Sequence, residues 1–113
     1  MHEMAVSESL VQTLEREAAL RNFTRVRTVF LELGPYSGVE VEALRFSFDV
    51  VSRGTLAEDA TLDITERPAT AWCMCCSKSV VRADRLSPCP DCGSYQLHAD
   101  GGDQLRIRQL EVD

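Results

Sequence analysis

The start of the chain carries apolar side chains at the spacing of one helical face, with charged and amide side chains between them. Asn22 can adopt the left-handed conformation that ends many helices, so the end of this helix is well defined. Its start is open, because Ser9 and Gln12 resemble a capping box while the apolar stripe begins nearer Met4. The apolar positions that predict this amphipathic helix are Val6, Leu10, Val11, Leu14 and Ala18.

The next apolar segment, Val26–Leu33, is rich in β-branched and aromatic residues and has apolar side chains on both of its alternating faces. This pattern predicts a strand in the centre of a sheet. Two further strands are predicted, one where Leu62 and Ile64 alternate with polar residues and one at Gln104–Val112, after a glycine pair.

A second helix is predicted between the first two strands. Ser37 and Glu40 have the spacing of a capping box, and Gly54 lies where the apolar pattern ends. The buried stripe of this helix consists of Val41, Leu44, Phe48 and Val51.

Two Cys-x-x-Cys pairs, with twelve residues between them, precede the last strand. Cysteines three apart can direct both sulfurs at one ion, and two such pairs complete the tetrahedron that Zn²⁺ accepts. Pro90 fixes φ inside the second pair, and Gly93 can take a positive φ directly after it. Trp72 and Pro88 are expected to shield the site from water. The four predicted zinc ligands are Cys73, Cys76, Cys89 and Cys92.

Other roles for these cysteines are less favoured than zinc binding. Two disulfides are disfavoured, because the count of 5 cysteines is odd and no signal peptide precedes them. A redox dithiol is disfavoured, because two pairs share one segment rich in proline and glycine. The fifth cysteine, Cys75, is expected to point outward as a spare thiol, although it could replace Cys76 as a ligand.

These elements predict an α+β fold, with a small mixed β-sheet and two helices interrupted by a zinc-ribbon-like module. Residues 1–67 and 104–113 are assigned to the first domain, and residues 68–103 to the zinc-binding domain. A segment as short as the second cannot build a core of its own, so the metal is expected to replace one.

Charge and hydropathy narrow the class of function. The chain has 12 Lys+Arg against 18 Asp+Glu, a formal net charge of −6, which disfavours a nucleic-acid partner. No apolar run approaches the ~18 residues of a membrane span. A cytoplasmic protein is therefore expected.

The terminal sequence Met1-His2-Glu3 contains a possible chelating group. If translation starts here, the α-amine and the His2 amide close a five-membered ring on a metal, and the amide and imidazole close a six-membered ring. The Glu3 amide or carboxylate could supply a fourth donor, which suits the planar preference of Ni²⁺ or Cu²⁺. From these residues alone, an ordinary histidine in a frayed terminus is the simpler interpretation.

Motifs along the whole chain together resemble those of the HypA/HybF family of hydrogenase nickel-insertion accessory proteins. They include the Met1-His2-Glu3 terminus, the helix segment Glu42–Phe48, the Trp72-Cys73 and Cys89–Ser94 segments, and the final Glu111-Val112. The resemblance implies a nickel site at Met1, His2 and Glu3, and a structural zinc site at the four paired cysteines. It also implies a metallochaperone, not an enzyme, that passes nickel to the [NiFe]-hydrogenase large-subunit precursor together with the nickel-binding GTPase HypB. Cys75 has no counterpart in the motif.

Two alternatives remain open at this point. One is a zinc-ribbon interaction module with no nickel role. The other is a zinc hydrolase using His98 and Glu66, but four thiolates would leave those residues no role. His98 is expected to be a surface strand residue, with a further nickel donor as the less favoured interpretation.

Overall fold

The computed structural model describes residues 2–82, 84–99 and 101–113. The described chain forms two helices and six strands, arranged in two three-stranded sheets of order β2-β1-β6 and β4-β3-β5. In chain order the elements are α1 Glu3–Arg21, β1 Val26–Leu33, α2 Val41–Val51, β2 Thr61–Glu66, β3 Ala69–Cys73, β4 Lys78–Arg82, β5 Leu97–Ala99 and β6 Leu105–Val112.

The chain divides into two units. The first comprises Met1–Leu31, Gly38–Ile64 and Ile107–Asp113, and the second comprises Glu32–Ser37 and Thr65–Arg106. The domain bounds derived from the sequence, 1–67 with 104–113 against 68–103, stay a prediction.

Helix α1 begins at Glu3, with His2 as an extended N-cap residue. The apolar stripe therefore determines its start, and Ser9 lies inside the helix, where its carbonyl accepts a hydrogen bond from the Thr13 hydroxyl at 2.9 Å. The helix ends at Asn22 as predicted, with φ 60° and a hydrogen bond from the Asn22 N–H to the Ala18 carbonyl. The buried side chains of the predicted stripe are Val6, Leu10, Val11 and Leu14.

Strand β1 is the central strand of the first sheet, as predicted. Val26 N–H, at the start of β1, bonds the carbonyl of Leu56, which precedes β2. Arg67 N–H, just past the end of β2, bonds the carbonyl of Leu33 at the end of β1. The two strands therefore run parallel. Thr24 N–H instead bonds the carbonyl of Asp113, at the far end of β6. The antiparallel β6 makes this a mixed sheet and confirms the predicted α+β fold.

Helix α2 begins at Val41 with Glu40 as its N-cap, so the prediction of a capping box at Ser37 is wrong. Gly38 has φ +73°, which turns the chain between Ser37 and the helix. The Glu40 carboxylate instead accepts hydrogen bonds from the N–H groups of Glu42 and Ala43, at 3.1 and 2.6 Å. A longer acidic side chain thus performs the capping that the hydroxyl was expected to perform.

The second sheet is antiparallel and has β3 in its centre. Trp72 pairs with Ser79 on β4 and with His98 on β5. Since side chains alternate along a strand, burial of Ala71 and Cys73 places Trp72 on the opposite face, where it is 42% exposed. The expectation that Trp72 shields the cysteines is therefore wrong. His98 is an exposed strand residue, as predicted.

Two glycines allow close backbone contact beside this sheet. A Cβ on Gly34 would lie 2.2 Å from the Gly102 carbonyl oxygen, and the Tyr36 N–H donates to that oxygen at 2.6 Å. Both contacts lie close to the start of β6, where the carbonyl of Gln104, the residue before this strand, accepts a hydrogen bond from Gly34 N–H.

Across the described residues, no helix combines the length and the apolar composition that crossing a membrane requires.

Candidate metal sites

The four paired cysteines lie together in the second unit. Sulfurs of Cys73 and Cys92 are 3.7 Å apart, those of Cys76 and Cys89 are 3.9 Å apart, and all four lie within 4.8 Å of one another. A tetrahedral zinc with Zn–S bonds of about 2.3 Å has sulfur–sulfur edges of about 3.8 Å. The cluster therefore has the dimensions of a four-thiolate zinc site. Among the described residues, it is the one group of His, Cys, Asp or Glu side chains assembled in this way.

The first Cys-x-x-Cys turn connects β3 to β4. Cys73 is the last residue of β3, and its sulfur accepts a hydrogen bond from the Cys76 N–H at 3.4 Å. Ser77 N–H bonds the Cys73 carbonyl at 2.8 Å, with Ser77 at φ +53°. The turn thus directs both sulfurs to the same side. Ser77 has no sequence signal that would have identified this role.

The second turn is closed by similar hydrogen bonds. Gly93 takes the predicted positive φ, 75°, and its N–H bonds the Cys89 carbonyl at 2.9 Å. The Cys89 N–H bonds the Ser94 carbonyl at 2.8 Å, which closes the loop. Pro90 lies inside this loop, where its fixed φ limits the alternatives.

Burial and hydrogen bonding shift the pKa values of the clustered thiols in opposite directions. Burial raises the pKa of Cys89, but N–H groups of Cys92 and Asp91 that point at its sulfur outweigh burial and lower the pKa to about 7. Hydrogen bonding to Cys92, followed by burial, raises the pKa of Cys76 to about 12. The Cys89 thiol therefore ionises readily, while the Cys76 thiol keeps a proton that is shared with a neighbouring sulfur and removed from water. A divalent cation displaces such protons and favours thiolates at all four positions.

An ion pair links the two cysteine turns on the outside. Lys78 Nζ lies 2.5 Å from Asp91 Oδ2, and both side chains are about half exposed. The hydrogen bond to Asp91 raises the pKa of Lys78. Sequence reasoning missed this pair, although Asp91 lies inside the second Cys-x-x-Cys and Lys78 follows the first.

Cys75 lies outside the cluster and is exposed, as expected. Its thiol donates to Ser94 Oγ at 3.3 Å and contacts Gln96 Oε1 at 3.6 Å. The side chain therefore faces away from the other sulfurs, which leaves Cys76 as the partner of Cys73.

The predicted nickel ligands lie at the first residues of α1. Met1 lies outside the described residues. His2 is exposed, and its carbonyl accepts the Val6 N–H at 3.1 Å. The Glu3 carboxylate accepts the Glu40 N–H at 3.3 Å, which joins the first turn of α1 to the N-cap residue of α2. The His2 side chain is therefore carried directly on the end of a helix that is fixed at its first turn.

Glu66 and His98 do not join the sulfur cluster. Glu66 is the exposed last residue of β2, and His98 is exposed on β5. Four sulfurs complete a tetrahedral metal and leave no position for a water, so this cluster has the composition of a structural site.

Comparison with known proteins agrees with these features. The HypA family model, described as hydrogenase/urease nickel incorporation metallochaperone, matches residues 1–112. The hydrogenase maturation factors HypA of Azotobacter chroococcum and Alkalilimnicola ehrlichii are 52% and 54% identical over 113 residues, covering 100% of each chain. The solution structure of the Ni metallochaperone HypA from Helicobacter pylori matches with a TM-score of 0.73 and 25% identity, over 99% of this chain and 97% of that chain.

The family description names metal incorporation and no catalysed reaction. The match extends from the terminal Met1-His2-Glu3 through the cysteine cluster to the last strand. Two relatives of the chain, compared above, are hydrogenase maturation factors. The chain therefore belongs to the HypA family of hydrogenase/urease nickel incorporation metallochaperones.

Proposed function

We propose that the chain binds Ni(II) at its N-terminus through Met1, His2 and Glu3, and delivers it to the [NiFe]-hydrogenase large-subunit precursor during maturation. The carrying observation is the position of His2, exposed and directly before α1, in a member of a nickel incorporation family. The nickel-binding GTPase HypB is the proposed partner in delivery, and the cytoplasm is the proposed location.

The start of α1 suits a chelate made of backbone and imidazole nitrogens. The first N–H groups of a helix have no intrahelical acceptor, so the amides of His2 and Glu3 are not needed to maintain α1. Together with the α-amine and the His2 imidazole they would supply four nitrogens, the number of donors that planar Ni²⁺ accepts. The Glu3 carboxylate already accepts the Glu40 N–H, which favours the Glu3 amide over its carboxylate as the fourth donor.

An exposed terminal site also suits transfer. A metal held at the surface can be reached by a second protein, whereas a metal enclosed by four thiolates cannot exchange ligands as readily. Nickel is therefore assigned to the terminus as cargo. Zinc is assigned to Cys73, Cys76, Cys89 and Cys92, where it would hold the second unit together and take no part in transfer.

Two versions of the protein, extended at opposite ends, test the role of the terminal amine. Extra residues before Met1 convert its α-amine into an amide and remove the anchor of the five-membered ring, whereas an extension after Asp113 leaves the amine free. We expect calorimetry to show nickel binding that is strongly weakened by the N-terminal extension and unchanged by the C-terminal one. His2→Ala in the chain without either extension should weaken nickel binding in the same way.

Zinc content, measured on every version of the protein, is the control, because the cysteine cluster lies far along the chain from the terminus. Equal nickel affinity in both extended proteins would contradict the amine as a ligand. Unchanged affinity in His2→Ala as well would leave a zinc-containing interaction module with no nickel role at this terminus.

A further inference from the structure

A cavity of about 450 Å³ lies in the second unit, within the size range of ligand pockets. Its wall contains two guanidinium groups, Arg82 and Arg85, and one carboxylate, Asp103. Thr70 adds a hydroxyl group and Leu97 an apolar surface. The charged groups on the wall thus include two cations and one anion, in a chain whose formal net charge is −6. Among the described residues that line the cavity, positively charged groups therefore outnumber negatively charged ones.

The loop that carries Arg85 is held in place by hydrogen bonds. Asp84 Oδ1 accepts the N–H groups of Leu86 and Ser87, at 2.7 and 2.8 Å. Arg82 Nε donates to the Ser87 carbonyl at 3.0 Å. That bond fixes the Arg82 side chain, whose charge also interacts with the Asp84 carboxylate, while its two terminal amino groups make no hydrogen bond within the described chain. The Arg82 amino groups are thus held in position by the protein itself.

Tyr36 supplies a second support for the cavity wall. Arg85 Cζ lies 4.3 Å from the centroid of the Tyr36 ring, a cation–π contact that holds the guanidinium against the wall. The Arg85 side chain is therefore held in place by an aromatic ring that also lines the cavity.

We propose that this cavity binds a carboxylate presented by an acidic segment of a partner protein. The planar carboxylate matches the fork of a guanidinium, and two such forks lie on the wall of this cavity. A peptide is favoured over a free carboxylate because Leu86, the neighbour of Arg85, is 85% exposed. An apolar residue next to the acidic one would cover Leu86. This recognition site is separate from both metal sites and does not depend on nickel binding.

The test uses the full chain in its zinc-loaded form and monitors the Nε–H signals of its arginines by NMR. The probe is the acetylated and amidated peptide Gly-Leu-Glu-Leu-Glu-Gly, compared with the same peptide containing glutamine and with glutarate. We expect the acidic peptide to shift the Arg82 and Arg85 signals, with a Kd about tenfold below that of the glutamine peptide.

Three variants localise the binding. Arg85→Gln should weaken binding of the acidic peptide about tenfold, and Tyr36→Leu, which removes the ring under Arg85, about threefold. Arg53→Gln removes the same charge from a residue that pairs with Asp49 at 3.2 Å and does not line the cavity, so it should leave binding unchanged. Equal binding of the glutamine peptide, or an equal loss in Arg53→Gln, would overturn the proposal. Glutarate binding as tightly as the peptide would overturn the assignment to a protein partner.

Discussion

Positive φ angles occur at the residue that ends α1 and at the residues that close the two metal-binding turns. Asn22 and Gly93 take φ values of 60° and 75°, and both were predictable because asparagine and glycine adopt this conformation at low cost. Ser77 does the same at 53° without any sequence signal. Its conformation follows from the hairpin, because its N–H must reach the Cys73 carbonyl before β4 begins.

Capping of α2 depends on one carboxylate. Replacing Glu40 with alanine removes the acceptor of the Glu42 and Ala43 N–H groups and should lower the free energy of unfolding by about 1 kcal/mol. Denaturant unfolding of Glu40→Ala beside Glu42→Ala measures this. The second variant removes a first-turn carboxylate that makes only a 3.9 Å ion pair with Arg45. An equal loss in both would show that charge near the helix end, and not the cap, is responsible.

The Asp84 turn should give stability a measurable pH dependence. The Leu86 N–H group, followed by the Ser87 side chain, lowers the pKa of Asp84 below its ordinary 3.8. The ionised carboxylate therefore stabilises the folded chain above pH 3.8, and the stabilisation is lost as the pH falls through the lower folded value. Asp84→Asn should be less stable than the wild type at neutral pH, with a difference that shrinks in acid. Asp49→Asn is the control, and a difference that grows in acid would contradict the assignment.

Among the elements, those with long periodic patterns were predicted and the short ones were not. The stripe of α1 fixed its start at Glu3 over the competing Ser9 signal, because several buried residues outweigh one local motif. Strands β3, β4 and β5 have 5, 5 and 3 residues, too few for alternation to identify them. Their pairing becomes evident only once the cysteines are brought together.

A buried carboxylate connects elements of the second unit. Glu32 is 3% exposed, and its two oxygens accept Arg67 Nε at 2.8 Å and Arg106 Nε at 2.7 Å. These arginines lie just before β3 and on β6, at the two sides of the cysteine segment. The alternation of apolar and polar residues along β1 did not identify Glu32 as buried, because its ion-pair partners lie far along the sequence.

Removing this charge should be costly. Glu32→Gln leaves two arginines facing a neutral amide and should lower the free energy of unfolding by about 2 kcal/mol, since one hydrogen bond between charged groups is lost and the other loses the charge of its acceptor. Glu17→Gln is the matched control, because Glu17 pairs with Arg21 at 2.7 Å on the exposed helix surface. Such a surface pair contributes about 0.5 kcal/mol or less. Urea unfolding that gave equal losses would rule out burial as the cause.

For the whole molecule, the sequence predicted most where chemistry restricts spacing. Two Cys-x-x-Cys pairs were enough to predict that Cys73, Cys76, Cys89 and Cys92 converge, since few arrangements satisfy that spacing. The terminal site was less accessible to such reasoning. One histidine at position 2 specifies no partner, and its link to α2 through Glu3 and Glu40 becomes evident only in the folded chain. Its nickel role therefore stays a proposal.

The division into two units, with most of the second held around the cysteine cluster, predicts an uneven response to metal loss. The core beside the cluster is small, consisting of Val80 and partly buried Leu97 with the cysteines themselves, so zinc should supply much of its stability. We expect Cys89→Ser to purify without its zinc, and hydrogen exchange to show lost protection in β3 and β4 while α1 stays protected. Cys75→Ser is the matched control, because that exposed thiol lies outside the cluster and its variant should keep about one zinc. Zinc retained in Cys89→Ser, or lost equally from Cys75→Ser, would show that these four sulfurs are not the metal site.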